Sequence, residues 1–268
     1  MTKKPIIACF AVLGMLLMAE LLLFSGTKKA IIPGNAISAA ELSSAYFNTL
    51  NFANETLPVN DAYVFNRVKK ALNNFGYENL QTYRLHRQAS RWFPIMEPIL
   101  ARYGIPEDFK YVPLVESGLK SGTSPRGASG LWQFMPHTAR AFGLKVNQSV
   151  DERHQIEKST IAACKYLRSL HKEFKNWTLV AAAYNVGENK LKRLINDQEQ
   201  VNYFSIRLNR ETAGYVYKLV AMKEIIEHPD VYGYDKISSS SLAINNRDTR
   251  YYPENFFKGL IHTTTQLD

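Results

Sequence analysis

The sequence predicts a mainly α-helical protein. Three observations carry that expectation. Apolar residues recur at helical spacing in several separate stretches, glycine or proline punctuates their ends, and nothing after residue 60 alternates long enough to make a convincing sheet. Val64, Val68, Leu72 and Phe75 place one helix within 61–75, closed by Gly76. A second is expected over about 80–103, interrupted near Pro94 and Pro98. Pro106 opens a short helix at about 107–117, where Glu107 and Asp108 suit the first turn and Gly118 stops it. Helix is then expected over 131–142, closed by Gly143, and over about 151–174, where Ile156, Thr160, Ala163, Leu167, Leu170 and Phe174 share a face. Shorter helices follow at 177–185 and 188–195. The last, at 211–227, carries Tyr215, Leu219, Met222 and Ile226 at helical spacing and ends before Pro229.

The organisation read from this pattern has four parts. Residues 1–26 read as a signal peptide or an N-terminal membrane anchor, and 27–91 as a polar linker with N-terminal helices, one of them short, at about 40–50. Residues 92–234 are the main helical domain, and 235–268 a loosely packed tail. Lys3-Lys4 precedes residues 5–24, which are apolar apart from Glu20. That run approaches the roughly 20 residues that span a bilayer, longer than an ordinary signal core, so an uncleaved anchor is preferred to a cleaved signal. A small-residue cleavage site at Ala36-Ile37-Ser38-Ala39-Ala40 lies far from it, and Lys28-Lys29 on the other side leaves orientation poorly fixed.

Composition narrows the partners. With 268 residues, 46% hydrophobic and 21% charged, the chain has material for one globular domain plus appendages. A net charge of +9 suits a polyanionic partner such as nucleic acid, anionic lipid or an anionic wall polymer. No run of five basic residues and no nucleic-acid signature is present, so nucleic acid is not expected. Cys9 and Cys164 lie in unrelated segments and are not expected to pair, and Cys164 reads as a small core residue. The six histidines show no HExxH spacing, so neither a metal nor a cofactor is expected.

The residue most plainly singled out is Glu116, in Leu114-Val115-Glu116-Ser117-Gly118. A carboxyl among apolar neighbours resists ionisation and so can serve as a general acid near neutral pH. Taken alone it is equally an exposed Glu in a last helical turn. Three further segments are unusual for mere core. Ser124-Pro-Arg-Gly127-Ala-Ser-Gly130-Leu-Trp-Gln133-Phe-Met135-Pro136 contains a run of small residues that lets a ligand approach the backbone. Ala181-Ala182-Ala183-Tyr184-Asn185-Val186-Gly187 sets a hydroxyl and an amide at a helix end, and Glu211-Thr212-Ala213-Gly214-Tyr215-Val216 opens the last helix. Singly, these read as a tight turn, a helix C-cap and a helix N-terminus.

Together, and in this order and spacing, the segments resemble the lytic murein transglycosylases of the soluble-lytic-transglycosylase (SLT) superfamily. The Glu116-Ser117 pair and the runs at 124–139, 183–187 and 211–216 carry the resemblance, which covers about residues 92–234. The Gly-Leu-Trp-Gln-Phe-Met-Pro form with Trp132, the Asp151-Glu152-Arg153 run and Tyr166-Leu167 look most like the membrane-bound D-type subgroup. That subgroup often carries C-terminal LysM repeats, and the stretch after Tyr234 is too short for one.

The resemblance implies a lysozyme-like helical domain with extra N-terminal helices, acting on peptidoglycan glycan strands in a bacterial envelope, on the periplasmic side. It implies non-hydrolytic cleavage of the bond between N-acetylmuramic acid and N-acetylglucosamine, leaving a 1,6-anhydromuramyl end. Ordinary glycosidases need two carboxyl groups. Here only Glu116 stands in a motif of that kind, so it is assigned as acid and then base. The resemblance further implies that Ser124 bonds the acid or the muramyl acetamido group, and that Gln133 and Met135 line the groove. Tyr184 and Asn185 would orient the acid or touch substrate, and Glu211 and Tyr215 would contact N-acetyl or hydroxyl groups. Ser117 is equally a helix cap. The rivals are a hydrolytic muramidase of the goose-type lysozyme kind, with Asp151 or Glu211 holding water, and a non-catalytic wall-binding protein.

Overall fold

Residues 44–76, 83–120 and 122–234 are described in a computed structural model. The chain divides into Met1–Ala36 and Ile37–Asp268, and all described residues belong to the second unit. The proposed N-terminal anchor and the 235–268 tail therefore lie outside them. Helix α1 (Ser44–Phe47) leads into an antiparallel hairpin, β1 (Asn51–Phe52) with β2 (Glu55–Thr56), paired Asn51 to Thr56 and Phe52 to Glu55. Its two loop residues, Ala53 and Asn54, both have positive φ (53° and 64°), the twist that lets a two-residue loop join antiparallel strands.

The linker expected here is instead part of the core. Phe47, Leu50, Phe52 and Leu57 are buried, and Phe52 meets Phe109 edge-on with centroids 5.1 Å apart. Two-residue strands show no periodicity, which is why the segment reads as linker. Its polar atoms are used as well. The Glu55 carboxylate accepts from the backbone N–H groups of Trp177 (2.5 Å) and Thr178 (2.9 Å). It thereby caps the positive end of a later helix.

Helix α2 (Ala62–Phe75) starts at Asp61, whose side chain accepts from the Tyr63 and Val64 N–H groups, and it buries Val64, Val68, Ala71 and Leu72. Helix α3 (Arg84–Arg102) runs through Pro94 and Pro98 without the expected interruption. Ser90, Pro94 and Pro98 fall four residues apart and are all exposed. The carbonyls that lose a helical partner thus face water, and the helix continues. A 3-10 turn (Glu107–Lys110) precedes α4 (Tyr111–Ser117). The later helices are α5 (Pro136–Ala141), α6 (Ile156–Phe174), α7 (Trp177–Val186), α8 (Glu188–Gln198) and α9 (Tyr215–Glu227).

Helix α9 is the hub. It packs against α2, α4 and α7, while α6 packs against α3 and α7. Nine of its residues are buried, on all sides rather than along one stripe. Its one buried carboxylate, Glu224, accepts from the Tyr46 hydroxyl and is held above the ordinary carboxylate range by burial. The α9 scaffold presents Tyr215 at its first turn, next to the end of α4.

Candidate active site

Glu116 occupies the last turn of α4, which ends where Gly118 turns left-handed (φ 59°). The Ser117 hydroxyl is shared between the carbonyls of Pro113 (2.9 Å) and Leu131 (3.0 Å). Ser117 therefore fastens the end of α4 to the following loop. The loop is closed by Ser124, whose N–H donates to the Ala128 carbonyl (2.7 Å) and whose hydroxyl accepts from the Ala128 N–H (3.1 Å). Ser129 and Phe134 exchange two backbone hydrogen bonds of 3.0 and 3.1 Å. The helix expected over 131–142 is therefore only Pro136–Ala141. Residues 131–135 form a turn, in which Gln133 is left-handed (φ 48°) and its amide donates to the Gly130 (2.8 Å) and Gly122 (3.1 Å) carbonyls. Apolar residues at 131, 132 and 134 mimic helical spacing, which is why the pattern misleads there.

A buried arginine holds this turn from below. Arg153 grips the Asp151 carboxylate (2.6 and 2.9 Å) and donates to the Gly127 (2.8 Å) and Phe134 (2.9 Å) carbonyls. Gly130 packs so closely on it that a Cβ there would lie 2.0 Å from the Arg153 carbonyl oxygen. In the sequence Arg153 stands out only as part of a similar run. Its signal is a charged triplet set immediately before a strongly apolar helix, a place where a buried cation must find several acceptors. Trp132, fully buried, donates its indole N–H to the Thr160 hydroxyl (3.0 Å). Thr160→Val would leave that donor unpaired, with an expected loss of about 1–3 kcal/mol of stability, measured by urea unfolding.

The opposite wall comes from α7 and the segment before α9. The Tyr184 hydroxyl donates to the Trp132 carbonyl (2.6 Å), tying α7 to the loop. The Asn185 side-chain oxygen accepts from the Thr212 hydroxyl (2.8 Å), and its amide reaches toward Glu211 (3.4 Å). Asn209 in turn accepts from the Glu211 and Thr212 N–H groups, each at 3.0 Å. Asn209 lies outside the motifs and is not singled out by them, and Thr212, which belongs to the 211–216 run, is given no role there.

Glu116 sits between the walls, partly buried, with the Tyr215 hydroxyl donating to its Oε1 at 2.6 Å. Burial pushes its carboxyl above the ordinary range. The negative Glu211 pushes the same way, while Tyr215, the Asn185 amide and Lys218 favour the ionised form without reversing the shift. Burial, reinforced by the Glu116 charge, holds the Tyr184 and Tyr215 hydroxyls well above their usual value, so both stay protonated. The arrangement offers a carboxyl able to give up and retake a proton, flanked by neutral donors. Of the residues expected at the site, Glu116, Tyr184, Asn185, Glu211 and Tyr215 come together. Ser124 and Gln133 are used in the turn, and Met135 stands exposed at the start of α5. Among the described residues no group of three or more His, Cys, Asp or Glu is placed to hold a metal.

Residues 95–206 match the transglycosylase SLT domain. The chain is similar to membrane-bound lytic murein transglycosylase D of Escherichia coli K12, at 32% identity over 186 residues, covering 66% of this chain and 39% of the relative. The chain thus spans about two fifths of the length of that relative. Among solved structures, the 70 kDa soluble lytic transglycosylase of Escherichia coli overlays on 80% of this chain and 33% of its own, at 20% identity and a TM-score of 0.45. An inactive mutant of lytic transglycosylase Slt from Pseudomonas aeruginosa overlays on 51% of this chain and 24% of its own, at 23% identity and a TM-score of 0.43. The SLT match contains Glu116 and its loop but stops before Glu211 and Tyr215. The partner that hydrogen-bonds Glu116 is therefore supplied by a helix beyond the matched segment.

Proposed function

We propose that this SLT domain is a lytic murein transglycosylase that cleaves the β-1,4 bond between N-acetylmuramic acid and N-acetylglucosamine without water. The observation that carries the reading is Glu116, a carboxyl held toward its protonated form by burial at the meeting point of the loop, α7 and α9. Glu116 gives its proton to the glycosidic oxygen as the C1–O bond breaks, and the muramyl acetamido oxygen stabilises the cationic centre. The Glu116 carboxylate then takes the proton of the sugar's own 6-hydroxyl, whose oxygen bonds to C1 and closes the 1,6-anhydro ring. The cycle returns Glu116 protonated and needs no second carboxylate. Tyr215 orients the carboxyl, and Tyr184, through the Trp132 carbonyl, fixes the loop against α7. The comparison with a membrane-bound relative supports a place in the bacterial cell envelope. We place the domain on the periplasmic side, held or exported by residues 1–26. No helix among the described residues is long and apolar enough to cross a membrane.

Hydrolysis is the second reading, and Glu211 is what favours it, because its charge acts directly on Glu116. Asp151, the other candidate, is committed to Arg153. A reducing-end assay on digested peptidoglycan separates the two. Transglycosylation solubilises fragments without a matching rise in reducing ends, whereas a stoichiometric rise establishes hydrolysis. A second expectation concerns Tyr215→Phe. Its hydroxyl favours ionised Glu116, so removing it raises the carboxyl further. A general acid works below its own pKa, so the fall in kcat/KM at high pH should move to higher pH. Loss of one orienting hydrogen bond should also lower kcat by about tenfold. A pH–rate profile of the variant against wild type reads both effects.

A further inference from the structure

Between α2 and the segment leading into α9 lies an open cavity of about 470 Å³ that the proposed reaction does not use. Arg67, Lys70 and Asn74 line it from α2, with Arg210 and Lys218 opposite and Glu211 on its rim. Four cations therefore face one carboxylate. Lys110, Arg153, Lys158, Lys192 and Lys223 each have a carboxylate within 4 Å, but among the described residues none of these four does. Four like charges gathered on one cavity with a single carboxylate, and none of them ion-paired among the described residues, repel one another and leave a site that a further anion would relieve. The cavity also abuts the site. Glu211 belongs to its rim and faces Asn185, and the Lys218 charge is felt by Glu116.

We propose that this cavity binds a carboxylate of the peptide stem carried by the muramyl unit beside the cleaved bond. The inference rests on the reading of the domain as a murein transglycosylase. Along such a strand the hydroxyl and acetamido groups of the sugars are neutral, and the negative charges sit on the lactyl-linked peptides. A sugar seated at Glu116 projects its substituent toward a neighbouring wall, and the wall next to Glu211 is the cationic one. Arg67 supplies a planar fork suited to a carboxylate. Its guanidinium lies over the rings of Tyr63 (5.6 Å to the centroid) and Tyr217 (5.5 Å), which help to hold it. Lys70 and Arg210 are exposed and add steering at the mouth.

The test uses the full chain with Glu116→Gln, so that binding is read without turnover. Its probes are glycan strands bearing native peptide stems and strands whose stem carboxylates have been capped as neutral methylamides with a carbodiimide. Lys70→Gln with Arg210→Gln should raise the Kd for native strands about fivefold to tenfold, an effect that shrinks in 0.5 M salt, and leave capped strands unchanged. Equal Kd values for the two strand types before substitution, or the same loss on both, would overturn the assignment. The functional reading fails separately: wild-type Glu116 protein would then release no fragments from either strand, whatever the binding data show.

Discussion

Glu116→Gln is expected to lower glycan-strand cleavage by on the order of 10³-fold, the range typical of removing a general acid–base group, and to leave the fold intact. Glutamine keeps the shape and an oxygen to accept from Tyr215, and it cannot donate an acidic proton. The stability consequence has a definite sign. A carboxyl raised by burial binds its proton more tightly folded than unfolded. Its stabilising contribution is complete below the ordinary carboxylate range and is lost as pH rises through the elevated folded value. At neutral pH the wild type therefore bears a burial cost that the variant lacks. The variant should melt no lower than wild type at pH 7, and its advantage should disappear in acid. An inactive protein that melts well below wild type would mean that Glu116 holds the fold rather than performs the chemistry. Thermal melts at two pH values beside a cleavage assay distinguish these outcomes.

Gly130→Ala should be the most damaging single methyl in the described chain. Gly130 adopts φ 78°, and the new Cβ would lie 2.0 Å from the Arg153 carbonyl oxygen and 2.7 Å from its carbon. Backbone meets backbone there, so no rotamer change can relieve the clash. Either the loop lifts from Arg153, or Arg153 loses its bonds to Gly127 and Phe134. The expected cost is on the order of 3 kcal/mol or more, with loss of cleavage, because that loop forms one wall beside Glu116. Gly127→Ala is the control. Gly127 is also left-handed (φ 85°), but nothing lies within 4 Å of its added Cβ. It should cost only the intrinsic left-handed penalty of about 1–2 kcal/mol. Urea unfolding of the two variants side by side reads the difference. Equal losses would show that the close approach to Arg153 plays no part.

Much of this arrangement is legible in the amino-acid sequence. The helices that carry the core announce themselves through Val64, Val68 and Leu72 and through Tyr215, Leu219 and Met222, because long segments repeat their apolar period several times. The motif residues Glu116, Tyr184, Asn185, Glu211 and Tyr215 converge although they come from three separate runs. What stays hidden is short or bonded to backbone. The Asn51–Thr56 hairpin has strands too brief for a period, yet Phe52 is buried and Glu55 caps α7. Residues 131–135 have helix-like spacing but are bent by Gly130 and Gln133. Gln133, expected to line the groove, and Ser124, expected to bond the acid or the muramyl acetamido group, place their side chains on loop backbone, a use of polar groups that residue type alone does not reveal. Arg153 belongs to the same class, because its acceptors are the carbonyls of Gly127 and Phe134.

In the proposed cycle one carboxyl serves twice and the sugar supplies its own nucleophile. This cycle is tested most directly by digesting purified peptidoglycan in ¹⁸O-labelled water with wild-type and Glu116→Gln protein in parallel and weighing the released muropeptides. The single-carboxyl cycle should give unlabelled 1,6-anhydro ends, one water lighter than reducing ends, from wild type alone. Labelled reducing ends, or undiminished release by Glu116→Gln, would contradict it.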